Sequence, residues 1–420
     1  MASQLQKINI LFFLTLLFTV MNLFGYMWNK IPQHCNEITP TSAHHSMPSI
    51  RPLKEPLVAK KRQLVYIFST WRSGSSFFGE IFNQDPAVFF LYEPLWHIWK
   101  RLYPGDALSL QGASRDMLRS LYHCDFSIFQ LYHVPVGNNF TTNDIFAAFF
   151  NKVICSYPIC SAYRKDVVKQ VDAKVCSKCP PRNLRLLEKE CLKYNTIVVK
   201  GVRIFDLNVL APLLEDPSME IKIIHLVRDP RAVTNSRIRS VRILEGENVH
   251  VAKSRNPKSK RISFFNNSLR RSKFFSHDYH SAETMDVICQ QTGNTLLTVQ
   301  KSPAWLNGKY MLVRYEDFIE DPVNRLKEIY SFINIPLVHS IKLFAFQMTR
   351  GPSGSFSPFV VSSRNSTITA SAWRKGLTFP QISQVQELCS FSMNILGYKL
   401  AGSEEEVSKI NNSLLLPPKL

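Results

Sequence analysis

The sequence predicts an α/β fold built on a central parallel sheet, and three observations carry that expectation. Short apolar runs recur at 64–68, 88–91, 196–199, 221–227 and 310–313, each of the length and character of a strand buried on both faces. Helix-like stretches separate them, and alternating strands and helices are the pattern of a parallel sheet. Two of the runs end in turns rich in Arg, Ser and Gly or capped by Asp-Pro, which places polar chemistry at strand carboxyl ends, where open α/β sheets bind ligands.

The first run passes into Thr70-Trp71-Arg72-Ser73-Gly74-Ser75-Ser76, followed by an apolar-faced segment over 77–82. A small-residue turn at a helix start points several backbone N–H groups at one spot, where the helix dipole also favours an anion. Arg72 adds a positive charge and a donor fork suited to phosphate. The stretch reads as a phosphate cradle, although Gly-x-x-x-x-Gly-Lys-Ser/Thr is absent. The run at 221–227 passes into Arg228-Asp229-Pro230 and reaches Ser236 about two helical turns later. Asp229 is the expected N-cap and Pro230 the first helical residue, so Arg228 and Ser236 are candidates for a second phosphate. Asp321-Pro322 opens a further helix in the same way.

Glu93 follows the strand at 88–91 and precedes Pro94, a position where a carboxylate with a raised pKa meets a substrate hydroxyl. Lys200 and Arg203 leave the strand at 196–199 on the same rim; they contact a bound substrate, or else form structural ion pairs. Trp71, Trp96 and His97 are stacking candidates for a sugar face, with the core favoured for Trp96.

With 420 residues, 45% of them apolar, the chain is long enough for one large core and accessory parts. Its net charge of +19 suits phosphorylated cofactors or acidic glycans; no nucleic-acid-binding module accompanies it, which argues against nucleic acid. Residues 8–28 carry no charge and are long enough to span a bilayer core of about 30 Å. They read as a transmembrane signal anchor between a cytosolic tail at 1–7 and a Pro/Ser/His/Thr-rich stem at 29–62, followed by a single domain at 63–400 and a tail at 401–420. Potential glycosylation sites at Asn139, Asn266, Asn365 and Asn411 all follow the anchor and favour a type II topology with a lumenal body. In such a compartment the nine cysteines favour disulfides over the zinc ribbon that Cys155, Cys160, Cys176 and Cys179 superficially suggest. Cys35, just outside the membrane, makes an inter-chain bridge or is free.

Taken with Leu91-Tyr92-Glu93-Pro94-Leu95-Trp96-His97, Val199-Lys200-Gly201-Val202-Arg203, Val313-Arg314-Tyr315-Glu316-Asp317 and Ala372-Trp373-Arg374, the two loops resemble the sulfotransferase superfamily. The resemblance covers 63–398 and is nearest to the Golgi carbohydrate 6-O-sulfotransferases, in particular those acting on N-acetylglucosamine. It implies a P-loop-like sulfotransferase fold, a Golgi location and homodimers. It also implies 3′-phosphoadenosine 5′-phosphosulfate (PAPS) as co-substrate. Arg72, Ser73, Gly74, Ser75 and Ser76 then hold the 5′-phosphosulfate, Arg228 and Ser236 the 3′-phosphate, and Glu93 acts as base. Arg374 and Lys375 are late cofactor contacts or a surface turn. Sulfuryl transfer asks for in-line positioning, charge stabilisation and a proton acceptor; it requires no metal. The sister specificity is C6 of galactose or N-acetylgalactosamine. A nucleotide kinase and an inactive glycan-binding Golgi scaffold are the readings of other classes.

Overall fold

The computed structural model describes residues 61–102, 105–132, 139–255, 279–351, 361–409 and 412–420, with the side chains of 279–282 left out. The expected anchor, the stem through residue 60, Cys35, Asn266 and Asn411 lie outside these residues. Among the described residues no helix is long and apolar enough to cross a membrane.

All five expected strands form, each within two residues of its expected bounds: β1 Gln63–Ser69, β2 Val88–Tyr92, β3 Thr196–Gly201, β4 Glu220–Val227 and β5 Tyr310–Arg314. They make one parallel sheet in the order β2-β3-β1-β4-β5. All seven residues of β1, the central strand, are buried. Alternate side chains of a strand point to opposite faces. Accordingly Leu64, Tyr66 and Phe68 enter one core while Val65 and Ile67 enter the other, so the sheet is the middle of three layers. A Cβ on Gly201 would lie 2.1 Å from the Tyr66 hydroxyl, and this close approach requires glycine at the end of β3.

Helices follow the strands. Helix α1 (Ser75–Gln84) follows β1, and α2 (Pro230–Ile238) follows β4. Asp229 caps α2 by accepting from Arg231 N at 2.8 Å, and Pro230 opens it. Asp321 likewise caps the helix Pro322–Phe332. Beyond α2 comes α3 (Val241–Lys253).

Eight cysteines pair as Cys124–Cys191, Cys155–Cys176, Cys160–Cys179 and Cys289–Cys389. The four that suggested a zinc ribbon are therefore consumed in two disulfides. Residues of the expected tail at 401–420 pack against the domain. Ala401, Val407 and Leu414 are buried with Trp373, and Leu416 N donates to Gly397 O at 2.7 Å.

Candidate active site

The sheet order brings the chemistry together. Glu93 follows β2, Lys200 lies in β3, Arg72 follows β1 and Arg228 follows β4, and these are four adjacent strands. Their carboxyl ends open on a cavity of about 280 Å³, lined by these four residues with Ser236 and Arg364 among others.

The loop after β1 is bent by two left-handed residues, Arg72 at φ 72° and Gly74 at φ 86°. Positive φ in a long side chain costs about 1–3 kcal/mol and is held only where the surroundings determine it. Here Arg228 Nη1 donates to Arg72 O at 3.0 Å, and Arg72 Nε donates to Ser236 Oγ at 2.9 Å. A Cβ on Gly74 would sit 2.5 Å from the Tyr315 ring. Gly74 is the N-cap of α1, and no side chain caps that helix, so its first N–H groups are left for an anion.

Arg228 is 9% exposed; its Nη2 donates to Thr369 O at 3.0 Å and its guanidinium lies 4.7 Å from the Tyr315 ring centre. Its buried Nε has no hydrogen-bond partner among the described residues, an orphaned donor that fits a phosphate oxygen. Burial, with the neighbouring Arg228 charge, pushes the Arg72 pKa down to about 10; Arg72 stays cationic at neutral pH. An uncapped helix start and convergent arginines in one cavity fit the phosphate ends of PAPS. When bound, PAPS supplies an activated sulfuryl group with a phosphate leaving group.

Glu93 is also left-handed, at φ 46°. Arg203 Nη1 donates to its Oε2 at 2.6 Å, and the Lys200 ammonium donates to its Oε1. Arg203 also bridges to Glu247 on α3. The expected raised pKa is overturned. Burial alone pushes the Glu93 carboxyl up, but Lys200 and Arg203 together outweigh it and hold it down at about 2. Burial lowers the Lys200 pKa, and the pair with Glu93 offsets that only in part.

Other expected contacts also move. The Ser73 hydroxyl is buried and donates to Thr70 O at 2.7 Å; it closes the turn rather than facing the cavity. Ser76 Oγ shares a 2.8 Å hydrogen bond with the Tyr92 hydroxyl. Arg203 lies below the rim, in the ion pairs already described. Arg374 points away, donating to the carbonyls of Val407, Lys409 and Asn412, and exposed Lys375 is absent from the lining. Trp71 and His97 are buried, whereas Trp96 is half-buried and stacks on Phe146 at 4.6 Å. Asn139 is exposed. Asn365, also exposed, caps the helix Ser366–Ser371 and lines the cavity.

Arg364 and Arg239, both lining the cavity, escaped the sequence reading. Arg364 follows no strand pattern, and Arg239 stands only three places beyond Ser236, capping the C-terminus of α2; that proximity was the one available signal.

Residues 62–403 match the sulfotransferase domain family. The chain is 53% identical over 372 residues to human carbohydrate sulfotransferase 2, covering 86% of this chain and 70% of that one. It is 42% identical over 376 residues to mouse carbohydrate sulfotransferase 7, covering 83% and 77%. Among solved structures, a Synechococcus olefin synthase sulfotransferase domain aligns at TM-score 0.40 and 15% identity, covering 79% and 95%. With the Arg72 and Arg228 loops and the Glu93 cluster in one cavity and relatives matched over most of its length, the chain belongs to the sulfotransferase domain family, as a PAPS-dependent carbohydrate sulfotransferase.

Proposed function

We propose that the protein transfers sulfate from PAPS to the 6-hydroxyl of N-acetylglucosamine in glycans. In this reading it is a homodimeric type II membrane protein of the Golgi with its catalytic domain in the lumen. The observation that carries the reaction is the convergence of Glu93, Lys200, Arg72 and Arg228 on one cavity. The uncapped start of α1 and Arg72 hold the 5′ end, and Arg72 places its charge where the leaving oxygen develops its own. Arg228, Ser236 and Arg364 hold the 3′-phosphate. Glu93 receives the proton of the acceptor hydroxyl, and Lys200, beside it, stabilises charge on the sulfuryl oxygens. Once Lys200 turns to that charge, Glu93 loses one of its two cations and its basicity rises. The preference for N-acetylglucosamine is supported by overall sequence resemblance.

Transfer of labelled sulfate from PAPS to defined acceptors tests this. Wild-type lumenal domain is expected to label C6 of terminal N-acetylglucosamine. Arg72→Ala is expected to lose on the order of 100-fold or more in kcat/KM. Labelling of galactose alone would overturn the acceptor, and full activity in Glu93→Ala would remove Glu93 as base.

A further inference from the structure

The ion pairs of Glu93 do not end at the cavity. Arg203, 2% exposed at its side chain, is shared between two carboxylates: Nη1 goes to Glu93 Oε2, and Nη2 to Glu247 Oε1. Within this Glu93–Arg203–Glu247 series of ion pairs, two atoms are buried without a partner among the described residues, Arg203 Nε and Glu247 Oε2. They are complementary. A side-on fork pairing uses Nε and Nη2 of an arginine against both oxygens of one carboxylate. The present arrangement makes half of that fork and spends Nη1 on Glu93.

The other half matters when the reaction proceeds. The acceptor oxygen forms its bond to sulfur, and the bond from sulfur to the 5′-phosphate oxygen breaks with the electron pair going to that oxygen. The acceptor proton passes to Glu93. Glu93 is then neutral, and Arg203 would remain as a buried cation with half its compensation gone, which is costly. We infer that Glu247 is the positioning residue that takes up Arg203 in the full fork as Glu93 is protonated, and so makes Glu93 usable as a base. Glu247 exchanges only hydrogen bonds and touches neither substrate. This inference rests on the reading of Glu93 as base.

The test is steady-state kinetics of Glu247→Gln, alone and in an Arg203→Gln background, with 3′,5′-adenosine bisphosphate binding as the check on folding. Glu247→Gln is expected to lower kcat about tenfold, the equivalent of one pK unit, with both KM values within twofold of wild type. In the Arg203→Gln background it is expected to add nothing, because its action runs through Arg203. A kcat within twofold of wild type, or losses that multiply in the double variant, would overturn the inference. Should Glu247→Gln fail to bind the bisphosphate, Glu247→Asp decides by the same criterion: a lowered kcat with unchanged KM supports the role, and an unchanged kcat removes it. Glu93→Ala is run alongside. If it is inactive while Glu247→Gln is normal, only the present inference falls; if it is active, the base assignment falls first.

Discussion

Two glutamates of this domain are equally hidden and behave in opposite ways. Glu93 is 6% exposed and Glu80 on α1 is 3% exposed. Glu93 is held at about 2 by cations in direct contact. Glu80 is driven up by burial to about 7, although hydrogen bonds from Gln84 and Asn83 and the charges of Lys152 and Lys165 pull the other way. The difference lies in where the lysines point. Lys152 Nζ donates to Gln84 Oε1 and Val167 O, and Lys165 Nζ to Val88 O, so Glu80 has neutral donors at contact distance and cations only farther off. Burial decides the protonation of an acid unless a charge touches it. At the cavity the fold supplies that touching charge; behind α1 it does not.

Breaking the first arrangement has the largest expected effect. Glu93→Ala leaves Lys200 and Arg203 buried without their shared anion, and a loss of roughly 3–5 kcal/mol in stability is expected, read by urea unfolding alongside loss of sulfate transfer. Unchanged stability would show that the pairs do not form.

The next contrast is in pH. A depressed carboxyl stabilises above its unfolded pKa, so the Glu93 contribution is present above about pH 4.3 and lost as pH falls towards about 2. A raised carboxyl does the reverse: the Glu80 contribution is full below about pH 4.3 and is lost as pH rises through about 7. Relative to Glu80→Gln, the wild type should lose roughly 3 kcal/mol between pH 4.5 and 7. Parallel stability curves for the two proteins across that range would refute it.

A smaller effect is expected for Lys200→Met. It leaves Glu93 with Arg203 alone, so acid unfolding should begin about one pH unit higher than in wild type; an unmoved acid limb would assign the depression to Arg203. The smallest is Tyr330→Phe, which removes the 3.0 Å bond to Asp85 Oδ2 at the C-terminal end of α1. About 1 kcal/mol of stability should go with transfer rates unchanged, and a fall in transfer would mean that the two regions communicate.

The strands were legible because a strand buried on both faces is written as a largely apolar run, as the runs at 64–68 in β1 and 88–91 in β2 are throughout and that at 221–227 in β4 is apart from Lys222 and His225. That the Arg72 and Arg228 loops line one cavity was legible because both arginines stand immediately beyond such runs. The ion pairing of Glu93 was not, since it depends on β2 lying beside β3, and strand order is a tertiary fact. Without that adjacency Lys200 and Arg203 read as rim residues, and a buried acid reads as one with a raised pKa. Ser73 misled for a local reason: a hydroxyl in a tight turn satisfies its own backbone as readily as a ligand. For Arg374 the choice between a cofactor contact and a surface turn stayed open, because a Trp-Arg-Lys-Gly string carries no record of the C-terminal carbonyls it meets in the fold.

The Arg72–Ser236 hydrogen bond and the Arg228–Arg72 carbonyl contact join two loops that, in the proposed function, grip opposite ends of one nucleotide. Each loop is the other's scaffold, much as two leaning stones of an arch stand only together. A nucleotide stripped of its 3′-phosphate would therefore forfeit more than the contacts made to that phosphate, because the shape of the sulfuryl-end loop would be less firmly set. On that proposal, discrimination against the shorter nucleotide is built into the fit of the two loops to each other, before any single residue has recognised anything.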